Sequence, residues 1–190
     1  MRRIRGRVDL VRETRHEISA IDLVHEASSL HRDDNYQLFG GTSEPESRKI
    51  VIAGQQRVTA DWWKLRRPNF ELVVSDAVRL EASRGDSEAA LRRIELLEGL
   101  RVIPLNDEVR AIAQRLITQG GMPPKAAQDA IHVAAAASGN ADFLLTWNCT
   151  HIANAELRPR IELICREAGF EPPVICTPIE LMENRDESQD

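Results

Sequence analysis

The chain has 190 residues, 42% of them hydrophobic and only 4% aromatic, with a formal net charge of −5. This suits one domain with a Leu/Ile/Val/Ala core and does not favour broad nucleic-acid affinity, although Lys64, Arg66, Arg67, Arg92 and Arg93 could still form a local basic patch that guides an anionic partner. No apolar run approaches a membrane span, the Arg-rich start lacks the apolar core of a signal peptide, and Cys149, Cys165 and Cys176 lack paired metal-ligand spacing. A cytoplasmic protein without a membrane segment, disulfide framework or zinc site is expected, its cysteines being small packed residues.

The first 46 residues give little periodic signal. Arg2, Arg3, Arg5 and Arg7 are followed by Asp9, Glu13 and Glu17, which reads as a solvated segment; residues 18–30 look more helical than strand-like, and residues 30–48 are polar and full of turn formers. Beyond them the elements alternate. Residues 49–66 read as a helix ending before Pro68, with Trp62 and Trp63 pointing different ways and one of them into the core, and residues 70–74 read as a buried strand. Ser75 caps a helix that stops near Gly85, and Asp86 or Ser87 caps the next, over 88–97, which stops at Gly99. A strand at 101–105, helices at 107–118 and 124–138, and a strand at 142–146 follow. A helix at 156–168, a strand at 174–176 and a helical end at 178–182 complete the series, with a frayed polar tail at 183–190. Strands separated by helices imply a parallel sheet with helices on both faces.

Two places stand out chemically. Asp129 opens an Ala-rich helix, and Asn148 follows the apolar run Phe143-Leu144-Leu145 within Thr146-Trp147-Asn148-Cys149-Thr150-His151. In an open α/β sheet a helix start and a strand's carboxyl end face the same crevice, where ligands and metals bind. The pair reads as half of an acidic, metal-holding site. His132, on the apolar face of its helix, reads as a core residue.

Four blocks in order carry a family resemblance: Gln55-Gln56 through Trp62-Trp63, Ala127-Gln128-Asp129-Ala130-Ile131-His132, the Thr146-Trp147-Asn148-Cys149 run, and Pro172-Pro173-Val174-Ile175-Cys176-Thr177-Pro178. Over residues 50–182 the chain resembles a PIN domain of the VapC-like type II toxin kind, in its Thr-Trp-Asn-Cys subgroup. The resemblance implies a three-layer α/β/α fold with a central parallel sheet, spanning residues 47–182. It implies an endoribonuclease that cleaves RNA with Mg²⁺ or Mn²⁺, acting as the toxin of a toxin–antitoxin pair, with an antitoxin protein as partner and a homodimeric state. A hard divalent cation prefers oxygen ligands and activates water for attack on a phosphodiester. Carried over position by position, Glu81, Asp129 and Asn148 become the catalytic and metal-holding residues, Asn148 standing where many PIN domains have an Asp. His151 becomes a candidate phosphate contact. A catalytically impaired remnant that binds an antitoxin or RNA without cutting is the alternative reading. An unrelated nucleotide-binding protein ranks last, since no Gly-rich phosphate loop follows a predicted strand.

The first acid is where the chain departs from the family. Relatives carry a central first strand ending in an acidic turn, whereas residues 30–48 hold no apolar run. Codons can be chosen for residues 30–45 that, read one base later, spell Phe-Ile-Glu-Thr-Thr-Thr-Ile-Ser-Tyr-Leu-Ala-Ala-Arg-Ala-Ser-Arg. Residues 1–46 are therefore expected to be an out-of-frame or wrongly started segment, with the central strand and its metal ligand missing. If the N-terminus is instead genuine and divergent, Glu26 or Asp22 is the substitute acid.

Overall fold

The computed structural model describes residues 16–20 and 46–182. Among these residues five parallel strands form one sheet in the order β3-β2-β1-β4-β5. In chain order the elements are β1 (His16–Ala20), α1 (Glu46–Leu65), β2 (Phe70–Ser75), α2 (Asp76–Ala82), α3 (Ser87–Leu97), β3 (Arg101–Ile103), α4 (Asp107–Thr118), α5 (Ala127–Ser138), β4 (Phe143–Leu145), α6 (Arg158–Glu167) and β5 (Val174–Cys176). Short 3-10 turns at Arg67–Asn69, Pro124–Ala126 and Pro178–Leu181 join or end them.

Local chemistry sets most of the boundaries. Ser75 caps α2 by accepting the Val78 N–H, Asp86 caps α3 through Ala89, and Asn106 caps α4 through Val109. The expected helix at 124–138 divides into the Pro124–Ala126 3-10 turn and α5, which Ala126 precedes at the cap position without a side-chain hydrogen bond.

The sheet separates two packed layers. Val73, Leu144 and Ile175 face the larger core, built with Val78, Val109, Ile112, Leu116, Ile161 and Ile164 of the helices on that side. Leu72, Leu145 and Cys176 face the other way, against fully buried Trp62 of α1. The alternation from Leu72 to Val73 and along β4 and β5 is the two-residue period of a strand buried on both faces, while Val74 at the end of β2 also joins the larger core. Ala134 to Ala137 are wholly buried, and their small side chains let α5 lie close to the sheet and to α4. Gly139 ends that helix, and a Cβ there would lie 2.8 Å from Ile103 Cγ1 and 3.0 Å from the Ala135 carbonyl oxygen.

The middle of the sheet differs from expectation. The place of the missing first strand is filled from inside the 1–46 segment, by His16–Ala20, so residues 18–20 are strand and not helix. β1 runs parallel to β2 with His16 opposite Phe70 and Ser19 opposite Val73, and parallel to β4 with Ala20 opposite Leu145. Ties at its start fix the register. The Glu17 N–H donates to Asp142 Oδ2 at 2.8 Å, the Asp142 N–H donates to the Glu17 carbonyl at 3.0 Å, and Arg101 pairs with the Glu17 carboxylate. The strand order reverses between β1 and β4, so the crevice beyond their carboxyl ends is the switch point where such sheets bind ligands. No helix among the described residues is long and apolar enough to cross a membrane.

Candidate active site

Glu81 lies in the second turn of α2, the helix that leaves β2 at its carboxyl end. Its side chain reaches α5, where Gln128 Nε2 donates to Glu81 Oε1 at 2.5 Å and His132 Nε2 meets the same oxygen at 2.9 Å. Residues 128 and 132 are one helical turn apart and present a single face to the carboxylate. His132 is only 3% exposed, so the core position expected of it is correct, but its ring also belongs to the site.

Asp129 occupies the first turn of α5, where the helix dipole favours negative charge. Its Oδ2 faces His151 Nδ1 at 2.8 Å. Nearly every side chain of the turn after β4 is committed. Buried Thr146 accepts the Asn148 N–H at 3.0 Å, Trp147 Nε1 donates to Thr59 of α1 at 2.9 Å, and Asn148 Oδ1 accepts the His151 N–H at 3.1 Å. The Asn148 carbonyl also takes the N–H groups of Ile152 and Ala153. Asn148 thus holds His151, which holds Asp129. Only Cys149 of the four-residue run is exposed with no bond assigned to its side chain; Cys165 and Cys176 are buried, and burial raises their thiols to about 11 and about 12, so they stay protonated at neutral pH.

Ionised carboxylates only accept hydrogen bonds, so each histidine must donate from the nitrogen that faces its acid. In a neutral ring the other nitrogen is then bare, and His132 Nδ1 and His151 Nε2 are both enclosed without a hydrogen-bond partner among the described residues. A shallow groove of about 570 Å³ opens beside His151, lined also by Met122, Pro123, Lys125, Thr150 and Leu157.

The sequence-predicted residues are therefore brought together in part. Glu81 and Asp129 project from neighbouring helices, linked through the α5 side chains and the turn, and Asn148 serves that turn. Asp22 and Glu26 fall outside the described residues. The donor chemistry fits a hard divalent cation, with two carboxylates and an amide at the crevice. Among the described residues no group of three or more His, Cys, Asp or Glu is gathered for a metal. The basic patch is not a single surface. Arg93 is buried and donates to the Ala82 and Arg84 carbonyls, Arg92 pairs with Glu88, and Arg66 and Arg67 lie over the rings of Phe70 and Trp63. Sequence reasoning missed Gln128 and the link from His132 to Glu81; the i, i+4 spacing of two polar residues beside Asp129 was the available signal.

No curated protein matches the chain at a significant level. Among solved structures, a chain in the crystal structure of VapBC2 from Rickettsia felis bound to a DNA fragment from their promoter is 13% identical, with a TM-score of 0.49, covering 85% of this chain and 98% of that one. The PIN domain family model matches residues 50–148, more than half of the sequence and inclusive of Glu81, Asp129 and Asn148, and the chain belongs to the PIN domain family.

Proposed function

We propose that this protein is a metal-dependent endoribonuclease, the toxin of a toxin–antitoxin pair, acting in the cytoplasm on RNA. The observation that carries the reading is the placement of Glu81 and Asp129 on adjoining helices at the switch point, each carboxylate held by a histidine. Glu81, Asp129 and an acid from residues 21–45, Asp22 or Glu26, would hold Mg²⁺ or Mn²⁺. When bound, the cation polarises the scissile phosphate and lowers the pKa of an attacking water. Asn148 keeps the turn closed, and a phosphate contact from His151 would need its ring protonated on both nitrogens, Nδ1 donating to Asp129 and Nε2 to the phosphate. An antitoxin protein and a homodimeric state belong to the same reading and rest on the resemblance to VapC-like toxins.

The test is cleavage of single-stranded RNA by the purified chain with and without Mg²⁺ or Mn²⁺. Metal-dependent cleavage, abolished in Asp129→Ala while the thermal transition persists, is the expected result. Of Asp22→Asn and Glu26→Gln, the variant that loses activity identifies the third acid. A folded protein that cuts no RNA under any metal overturns the reading. The second reading, a remnant that binds antitoxin or RNA without cutting, draws on the absence of a gathered acid triad among the described residues. It predicts partner binding with no metal-dependent turnover.

A further inference from the structure

We infer that His132 and His151 are positioning residues that fix the two site carboxylates through opposite ring nitrogens, His132 Nε2 holding Glu81 and His151 Nδ1 holding Asp129. The consequence for catalysis rests on the ribonuclease reading, but the geometry does not. A Glu side chain has three rotatable bonds, and ordering it costs entropy that a fixed donor must offset. The His132 ring is such a donor: it is 3% exposed on a helix that buries most of its residues and cannot follow a wandering carboxylate. Gln128 shares the same oxygen from an exposed position and restrains it less.

His151 reaches the same end by a different route. Its ring stands on a turn whose backbone N–H is held by Asn148 Oδ1, and Asn148 is in turn held by Thr146. The spacing of Asn148 and His151 is that of a side-chain cap on the third following N–H. The turn therefore orients a ring, the ring orients Asp129, and the amide of Asn148 acts at one remove. Carboxylates held in this way by a neighbouring ring are ready to take a cation without reorganising, and outer partners of this sort commonly set metal affinity.

The opposite nitrogens make the idea testable by isosteres. A Gln amide nitrogen reaches where His Nε2 stood, and an Asn amide nitrogen reaches where Nδ1 stood. His132→Gln and His151→Asn should therefore keep the contact, while His132→Asn and His151→Gln should lose it. The measurement is Mn²⁺ affinity of the full chain by titration calorimetry, with thermal melts alongside. Matched swaps should stay within about 3-fold of wild type and mismatched swaps should weaken binding by about 10-fold or more. Equal affinities across the four variants, or the reverse order, would overturn the assignment.

Long-range ¹H–¹⁵N spectra of the metal-free wild type, recorded above the histidine titration range, give a second and independent reading. They should show His132 protonated on Nε2 and His151 on Nδ1. Opposite tautomers, or rings exchanging between both, overturn the proposal even if every swap variant fails to fold. If the wild type takes up no Mn²⁺, the ribonuclease reading falls, and the tautomers alone decide whether these rings position the acids.

Discussion

β1 and the turn after β4 flank the same crevice, and they are specified by opposite means. β1 is five residues, His-Glu-Ile-Ser-Ala, held by backbone ladders on both sides and by ties at its first residues. The turn has almost no regular backbone pattern and is held by Thr146, Trp147 and Asn148, each side chain with a definite partner. A central strand asks chiefly for an extended, pairable backbone, whereas a tight functional turn asks for particular side chains. β1 should accordingly be sensitive to loss of an N–H, and the turn to loss of a side-chain oxygen.

The largest effect is expected from Ser19→Pro. Ser19 is buried in the middle of the sheet opposite Val73 and Leu144, and proline removes its ladder hydrogen bond and forces a ring between paired strands. Each buried group left unpaired costs about 1–3 kcal/mol, so a loss of about 3 kcal/mol or more is expected with the steric clash included. Urea unfolding checks it; an unchanged midpoint would mean that residues 16–20 do not form the central strand.

Gly139→Ala comes next, a case decided by space and not by hydrogen bonding. Its backbone angle is ordinary for any residue, but the added Cβ meets the Ile103 side chain and the Ala135 carbonyl. Overpacking of this kind costs about 1–3 kcal/mol. The combined variant Gly139→Ala with Ile103→Val, which removes Ile103 Cδ1, the atom nearest the added Cβ, should recover part of the loss. No recovery in the unfolding midpoint would place the strain elsewhere.

The same contrast explains what could be read from the sequence. The strands at 70–75 and 174–176 and the helices at 87–97 and 107–118 were legible because apolar runs, Asp or Asn caps and following glycines coincide there. Asp129 and Asn148 were legible as a helix start and a strand end. β1 was not, because Glu17 and Ser19 interrupt any apolar run and its identity comes from slots that β2 and β4 provide only once folded. Nor was the Glu81–His132 contact, which joins residues 51 positions apart and requires α2 and α5 to be packed. The first acid could be narrowed only to Asp22 or Glu26, both beyond the described strand.

On the turn side of the comparison, Asn148→Ala removes the oxygen that accepts the His151 N–H. Loss of such a cap costs about 0.5–2 kcal/mol, and Asn148→Asp, which keeps an oxygen at that place, should restore the bond. The more telling readout is the His151 ring, whose ¹⁵N shifts should move in the Ala variant and return in the Asp variant. Unmoved shifts in Asn148→Ala would separate Asn148 from Asp129 and leave the turn as a purely structural feature.

The smallest effect is expected outside the acids and their histidines, in the Pro178–Leu181 turn that packs against α1. Burial alone would raise the Glu180 carboxyl, but the Thr177 N–H and hydroxyl donate to it at 2.7 and 2.8 Å, and with nearby Arg158 they hold it below the usual glutamate range. A depressed folded-state pKa means stabilisation that is complete above the unfolded value of about 4.3 and fades as pH falls through the lower folded value. Glu180→Ala should therefore melt below wild type at neutral pH, with the gap narrowing only under acid conditions. A gap that stays constant down the acid limb would show that Glu180 acts by packing and not by its charge. Because this turn packs on the Trp62 layer and makes no hydrogen bond to Glu81 or Asp129, RNA cleavage at neutral pH should be unchanged in the variant, which separates the stability of the smaller core from the chemistry at the acids.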